Sequence, residues 1–378
     1  MTDMLPVAML PVPMAGGSWL GVFGGGLIGL VLGLVLQRTH YCTMGALSDL
    51  FLFGAWRRLR VWLLACGFTL LGTQVLDAAG LIDPAASFYR HLPLAPLALI
   101  GGGMLFGIGM VLAGGCVGRT LIRLGSGSLK ALFVLFAMTI ATAATLTGIA
   151  AAPAGWAFAI ALPVDPARSG PAALAHTLFG WSPTWLDPAL AVAIGLPLIA
   201  LTLRRQIARG EGREARLGLV IAAACIAAWM LDARLQGAAS AAPEVPAQGV
   251  NFVGPGADLL VWATTGGGVL PQAGVVLILG VIVGAFLSAW RSDGLRLETF
   301  SDASDMKRHA IGGLAMGVGG ALAGGCTFGQ GLSGTSTLAA SSLLALAGMI
   351  GGCRWALFWL EHGRWWPVRR PARPADGP

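Results

Sequence analysis

Charged side chains are missing from eight long stretches of this chain, and that absence limits the fold more than any motif does. No Asp, Glu, Lys or Arg occurs within 4–37, 61–76, 92–118, 131–164, 188–203, 217–231, 259–290 or 310–353. A helix needs roughly 20 apolar residues to cross the hydrocarbon core of a bilayer. Charged residues make up 11% of the 378 positions, against about 25% in soluble domains, so the chain cannot clothe a water-facing surface. The runs also lack the two-residue alternation of a membrane barrel. Together they predict an all-α integral membrane protein with about nine transmembrane helices, the last run holding two crossings joined within the membrane.

The net charge of +7 raises the question of nucleic acid, and its placement answers it. Every Lys and Arg except Arg90, Arg168 and Arg234 falls at Arg38, Arg57–Arg60, Arg119–Lys130, Arg204–Arg216, Arg291–Arg308 or Arg354–Arg373. In the order of the spans, all of these clusters can share one face, which the positive-inside rule makes cytoplasmic. The expected partner is thus the lipid bilayer and not nucleic acid. The expected location is the cell inner (plasma) membrane, with the N-terminus outside and the C-terminus in the cytoplasm. The opening MTDMLPVAML has no basic region, so it does not read as a cleaved signal peptide. Trp365 and Trp366, ahead of a basic tail, suit a membrane interface.

One phrase is spelled almost twice. Residues 102–116 read GGMLFGIGMVLAGGC and residues 312–326 read GGLAMGVGGALAGGC. Internal repeats of this kind build many transporters, with broken helices meeting near the bilayer midplane. A single membrane domain over 1–378 is expected: repeat one at about 19–150, peripheral spans and outer loops at 151–269, repeat two at about 270–360, and a tail at 361–378. Gly29–Gly33 and Gly280–Gly284 also match, as the helices that open each repeat. Counting spans makes the helix before Cys116 run inward and the helix before Cys326 run outward, so the two hairpins are two pseudo-symmetric elements approaching from opposite faces. Residues 40–54 are too short to cross and predict a re-entrant helix; 236–256, rich in Ala, Pro and Gly, predict irregular structure.

Six cysteines occur without any CxxC or Cys/His spacing for zinc, so no metal and no cofactor is expected. Cys42, Cys116 and Cys326 each stand where a helical run breaks into small and polar residues. Cys66, Cys225 and Cys353 stand in apolar settings and read as packing. Glycines beside the break, Gly115 and Gly325 among them, let a ligand reach backbone N–H groups. A helix starting after the break turns its positive end to that ligand, which favours an anion. Thiols are weak donors and polarizable acceptors, suited to a large, soft anion that must be released again.

The doubled Gly-Gly-Cys hairpins, with the upstream Arg38-Thr-His-Tyr-Cys42-Thr-Met-Gly-Ala-Leu, resemble the YeeE/YedE family of sulfur-compound transporters over about 20–355. The resemblance implies an hourglass-like fold of about nine spans with short inner helices. It implies import of thiosulfate or a related sulfur oxyanion, relayed by thiol hydrogen bonds of Cys42, Cys116 and Cys326. It also implies a small TusA-like cytoplasmic sulfur-carrier protein that collects the cargo. Members linked to selenium leave another cargo open.

Around the cysteines, Thr327, Gln330, Thr43 and Ser333 can donate to anion oxygens or satisfy carbonyls freed by the break. Arg119 and Arg123, like Arg38 and His40, either orient the chain as a solvated basic cluster or draw anions to the mouth. Asp49 reads as a salt bridge to Arg57 or Arg58 in preference to a proton-linked acid. The substrate-binding set is Cys42, Cys116, Cys326, Gly115, Gly325, Thr327, Gln330 and Arg119. No catalytic residue is expected. A sulfurtransferase forming a cysteine persulfide is the competing class, and needs a thiol activated by a neighbour; only His40 near Cys42 offers that.

Overall fold

The computed structural model describes residues 17–161, 170–172, 175, 185–238, 246–265 and 270–363. The expectations for the first ten residues, for Trp365 and Trp366 and for the basic tail lie outside the described residues, as do 162–169, 173–174 and 176–184. Among the described residues there are fourteen α-helices. They are α1 (Trp19–Thr39), α2 (Thr43–Phe53), α3 (Arg57–Ala78), α4 (Phe88–His91), α5 (Pro96–Leu112), α6 (Val117–Gly125), α7 (Leu129–Leu146), α8 (Ala151–Ala159), α9 (Leu186–Ala208), α10 (Gly212–Ala238), α11 (Gly254–Thr264), α12 (Ala273–Arg291), α13 (Ala303–Ala323) and α14 (Ala340–His362). Among the described residues there is no strand, only two isolated bridges. The chain is an all-α, multi-pass integral membrane protein.

Among the described residues eight segments are long and apolar enough to cross a membrane, in keeping with the expected count of about nine. The ninth long helix, α13, opens on Asp305, Lys307 and Arg308, which dilutes its apolar content. Along its length it packs between α5 and α7. Two boundaries differ from expectation. The run 259–290 divides into α11 and α12, and α10 continues regular structure to Ala238 before the irregular stretch at 246–253. The expected short helix within 40–54 is α2, and Arg58 meets its Asp49 at 3.4 Å, as the sequence suggested.

Small residues bring the helices together. A Cβ on Gly29 would lie 2.1 Å from the Leu277 carbonyl oxygen, and one on Gly33 2.2 Å from that of Val281. Only bare backbone permits this, as in other small-residue membrane contacts. Gly25 meets Ala273, Gly29 meets Leu277 and Gly33 meets Val281, so α1 and α12 run parallel. By contrast α5 and α13 run antiparallel, Gly102 meeting Leu322 and Gly109 meeting Gly312. The resemblance of Gly29–Gly33 to Gly280–Gly284 therefore marks two faces that touch. Helices related by inversion would run in opposite directions.

The basic clusters are tied together at one end of the bundle. Arg60 holds Glu211 through Nε at 3.1 Å and Nη2 at 2.7 Å, and Arg57 pairs with Glu214 beside it. Arg123 holds both oxygens of Glu298 at 2.8 Å, and Lys130 donates to Asp305 at 2.7 Å. These pairs fasten the start of α3, the end of α6 and the start of α7 to the α9–α10 and α12–α13 connections and the first turns of α10 and α13.

Candidate functional site

Three helix breaks place three thiols in one buried core. Helix α1 ends at His40, whose φ of 49° is left-handed. Tyr41 and Cys42 follow, and Cys42 caps α2 in extended conformation, its Sγ accepting from the Gly45 N–H at 3.5 Å. Helix α5 ends on Gly114, φ 71°, and Cys116 stands at the head of α6. Helix α13 ends the same way on Gly324, also φ 71°, and Gly325 at φ 157° leads to Cys326. The repeated Gly-Gly is thus a repeated turn: the first glycine supplies the left-handed C-cap that L-residues with a Cβ avoid.

Cys42 Sγ and Cys116 Sγ lie 3.8 Å apart. The amides of Arg119, Thr43 and Met44 are close to Cys116 Sγ. Two helix N-termini, those of α2 and α6, therefore aim N–H groups at the same pair of sulfurs, where negative charge is stabilised. Cys326 belongs to the same core, with Sγ accepting from the Gly329 N–H at 3.4 Å and the Phe252 and Phe328 amides nearby. After it the chain makes a π-helical turn, Gly329–Gly334, of the kind that gathers at functional sites. The Phe328 ring packs on Gly118, 3.1 Å from where a Cβ would stand, so the two hairpins interlock.

The other candidates separate. Gln330 is fully buried and donates from Nε2 to the Ala323 carbonyl at 2.6 Å. Its Oε1 and the Thr327 and Thr43 hydroxyls have no partner among the described residues. Leaving such a buried group unpaired costs about 1–3 kcal/mol, so a polar ligand that reached these atoms would recover that cost. Ser333 is committed elsewhere, bonded to the Val250 N–H at 3.0 Å and its carbonyl at 3.2 Å. Arg123 is spent on Glu298. Arg119 has no carboxylate partner among the described residues and reaches His40 Nδ1 at 3.4 Å, on the exposed side of the thiol pair. Gly115 lies against the Arg119 stem, where a Cβ would stand 2.9 Å from Cγ. No group of three or more His, Cys, Asp or Glu suited to a metal occurs among the described residues.

Cys225 and Cys353 are buried packing residues. Cys66 is more than that: its thiol donates to the Gly331 carbonyl at 3.3 Å, inside the π-turn. Gln248–Val253 falls within the 236–256 stretch predicted to be irregular, and its overall composition does not point to the site. This stretch is clamped against Cys326: Tyr89 donates to the Gln248 carbonyl at 2.8 Å, and Asp232 accepts from the Gln248 and Gly249 amides at 2.9 and 2.8 Å. Asn251 donates to Gln248 Oε1 at 3.1 Å and accepts from the Val253 N–H at 3.2 Å, while its Oδ1 lies 2.9 Å from the Cβ position of Gly329. A lone Asn inside Gly249-Val-Asn-Phe-Val-Gly was the available signal.

A multi-pass membrane protein with buried thiols at helix breaks, set among N–H groups, has the build of a membrane transporter for anions. The Sulphur transport family profile matches residues 38–355, and the chain belongs to that family. It is similar to the thiosulfate transporter TsuA of Escherichia coli K12, 28% identical over 356 residues covering 91% of this chain and 95% of the relative. It is similar to the same degree, 28% over 351 residues, to the thiosulfate transporter TsuA of Spirochaeta thermophila, covering 91% of this chain and all of that one.

Proposed function

We propose that this protein imports thiosulfate, or a closely related sulfur oxyanion, along a pathway through Cys42, Cys116 and Cys326. The single observation that carries this reading is the Cys42–Cys116 pair, 3.8 Å apart at two converging helix N-termini. The kinship to thiosulfate transporters supports the cargo. Arg119 stands at the basic mouth on the cytoplasmic side and draws the imported anion out of the pathway. Inside that mouth the anion meets the thiol pair, whose S–H groups donate weakly and whose sulfurs tolerate a soft terminal sulfur. On the outer side of the interlocked hairpins, Cys326, Thr327 and Gln330, at the turn made by Gly325, form the second station, which an anion arriving from outside reaches first. No step alters the anion covalently.

The basic end faces the cytoplasm of an inner membrane, where a TusA-like carrier receives the cargo. The two Cys hairpins are equivalent halves, the first over about 19–150. The second half begins with α10 and not near 270. The parallel contact of α1 with α12 has its counterpart in α3 with α10, where Gly218 meets Val61 and Gly72 meets Ile226. Uptake of labelled thiosulfate by proteoliposomes holding this chain alone tests the function. Accumulation that competing thiosulfate suppresses supports it, and no accumulation overturns it. Mass spectrometry of the same protein checks the competing sulfurtransferase: a sulfane adduct on Cys42, Cys116 or Cys326 would assign it to that class.

A further inference from the structure

The pathway just described leaves several buried donors without a task. Tyr41, Thr43 and Trp62 are each less than a tenth exposed, and among the described residues the Tyr41 hydroxyl, Thr43 Oγ1 and Trp62 Nε1 have no hydrogen-bond partner. Buried phenol and indole groups ordinarily find an acceptor. Their positions are connected. Trp62 and Cys66 stand one turn apart on α3, hence on one stripe. Cys66 donates to the Gly331 carbonyl at 3.3 Å, and Trp62 Cζ2 lies 3.0 Å from the Cβ position of the same glycine. That stripe therefore abuts the turn that carries Cys326. On its other flank Tyr41 lies within electrostatic range of Cys66, Cys116 and Cys42. The Tyr41 and Thr43 hydroxyls are neighbours that fall short of hydrogen-bond geometry with each other. The three donors thus bridge the thiol pair and Cys326.

Their chemistry selects a ligand. An indole N–H only donates, and two hydroxyl protons here have no acceptor. A ligand rich in acceptor oxygens completes all three, whereas a bare sulfur species, with one weakly accepting atom, cannot reach all three. We propose that Tyr41, Thr43 and Trp62 form an oxygen-reading station between the Cys42–Cys116 pair and Cys326. A sulfur oxyanion presents its oxygens to the three donors there while its terminal sulfur lies toward Cys66. This rests on the transport reading above and adds to it the residues that distinguish an oxyanion from sulfide.

The test uses full-length protein with indole-¹⁵N-labelled tryptophan in detergent, the Trp62 signal assigned by Trp62→Phe. Saturating thiosulfate is expected to move the Trp62 signal, and sulfide to leave it in place. In proteoliposomes Tyr41→Phe and Trp62→Phe are expected to raise the KM for thiosulfate about tenfold each, the loss of one hydrogen bond to a charged ligand, with the maximal rate retained. An unmoved indole signal, or wild-type KM in both variants, overturns the station. If the variants fail to fold, the wild-type spectrum alone decides. If the wild-type protein takes up no thiosulfate, the transport reading fails separately. The indole signal is then read against sulfite and sulfate, and the station stands only if one of them moves it.

Discussion

Cys42 and Cys116 come from helices separated by a full crossing, yet their sulfurs lie 3.8 Å apart, each at the N-cap of the helix that follows a break. That contact needs both turns, since each thiol is delivered by a chain reversal and not by a helix face. Replacing Cys116 or Cys326 by Ala removes a soft, weakly donating group and adds no bulk. Uptake is expected to fall at least about tenfold in each variant, with elution of folded protein in detergent unchanged. Cys353→Ala, at a buried thiol on α14, is expected to leave uptake at the wild-type level. Transport assays on the three purified variants check the ordering, and normal uptake in both Cys116→Ala and Cys326→Ala would sink the site.

The α1–α12 seam makes a stability prediction. A Cβ at Gly29 would stand 2.1 Å from the Leu277 carbonyl oxygen, which is backbone and cannot swing away. Gly29→Ala must separate the two helices, at about 1–3 kcal/mol or more. Gly101 is a control on a helix of the same bundle, because a Cβ there meets nothing within 4 Å. Gly101→Ala is expected to be neutral or stabilising by about 0.5–1 kcal/mol, since alanine is the better helix former. Thermal unfolding of both variants in one detergent is the measurement.

Much of this molecule is legible in its residues, for a physical reason. Membrane crossings are written as charge-free length, and αL turns are written as Gly-Gly, so the broken helices and Cys42, Cys116 and Cys326 can be found without coordinates. Pairings are not written that way. Gly29 and Gly280 look like equivalents of two repeats, because close contact and symmetry both select glycine. Cys66 looks inert because its surroundings, Leu-Ala-Cys-Gly, are apolar along the chain, while its acceptor is the carbonyl of Gly331. The Asn251 stretch looks like a loose loop. What holds it is Tyr89, Asp232 and Ser333, from three separate parts of the chain.

The ion pairs at the basic end predict a pH response. The Lys130 ammonium, donating at 2.7 Å, holds the Asp305 carboxyl down to about 2, below the ordinary value of about 3.9. A depressed carboxylate stabilises the fold fully above its unfolded value and loses that contribution as pH falls through its folded value. The contribution is therefore complete at pH 5 and disappears between about 4 and 2. Asp305→Asn is expected to flatten the dependence of the unfolding temperature on pH in that window and to lower the temperature at pH 5. An unchanged profile would show that the Lys130–Asp305 pair contributes nothing measurable.

Asn251 gives the sharpest separation between a residue that holds the site and one that repels cargo from it. Its Oδ1 accepts from the Val253 N–H at 3.2 Å and lies 2.9 Å from the Cβ position of Gly329, whose amide is directed at Cys326 Sγ. Asn251→Ala deletes an acceptor, frees a buried N–H, and is expected to cost about 1–3 kcal/mol of stability. Asn251→Asp keeps the acceptor for the Val253 N–H and the shape, but loses the N–H donated to Gln248 Oε1 and adds negative charge beside the second station. In a low-dielectric interior that charge repels an incoming anion by several kcal/mol at close range. At equal amounts of folded protein the Asp variant should therefore show the larger rise in KM, at least about tenfold. If the Ala variant transports worse than the Asp variant at equal amounts of folded protein, this stretch is scaffolding alone, and the anion does not pass beside it.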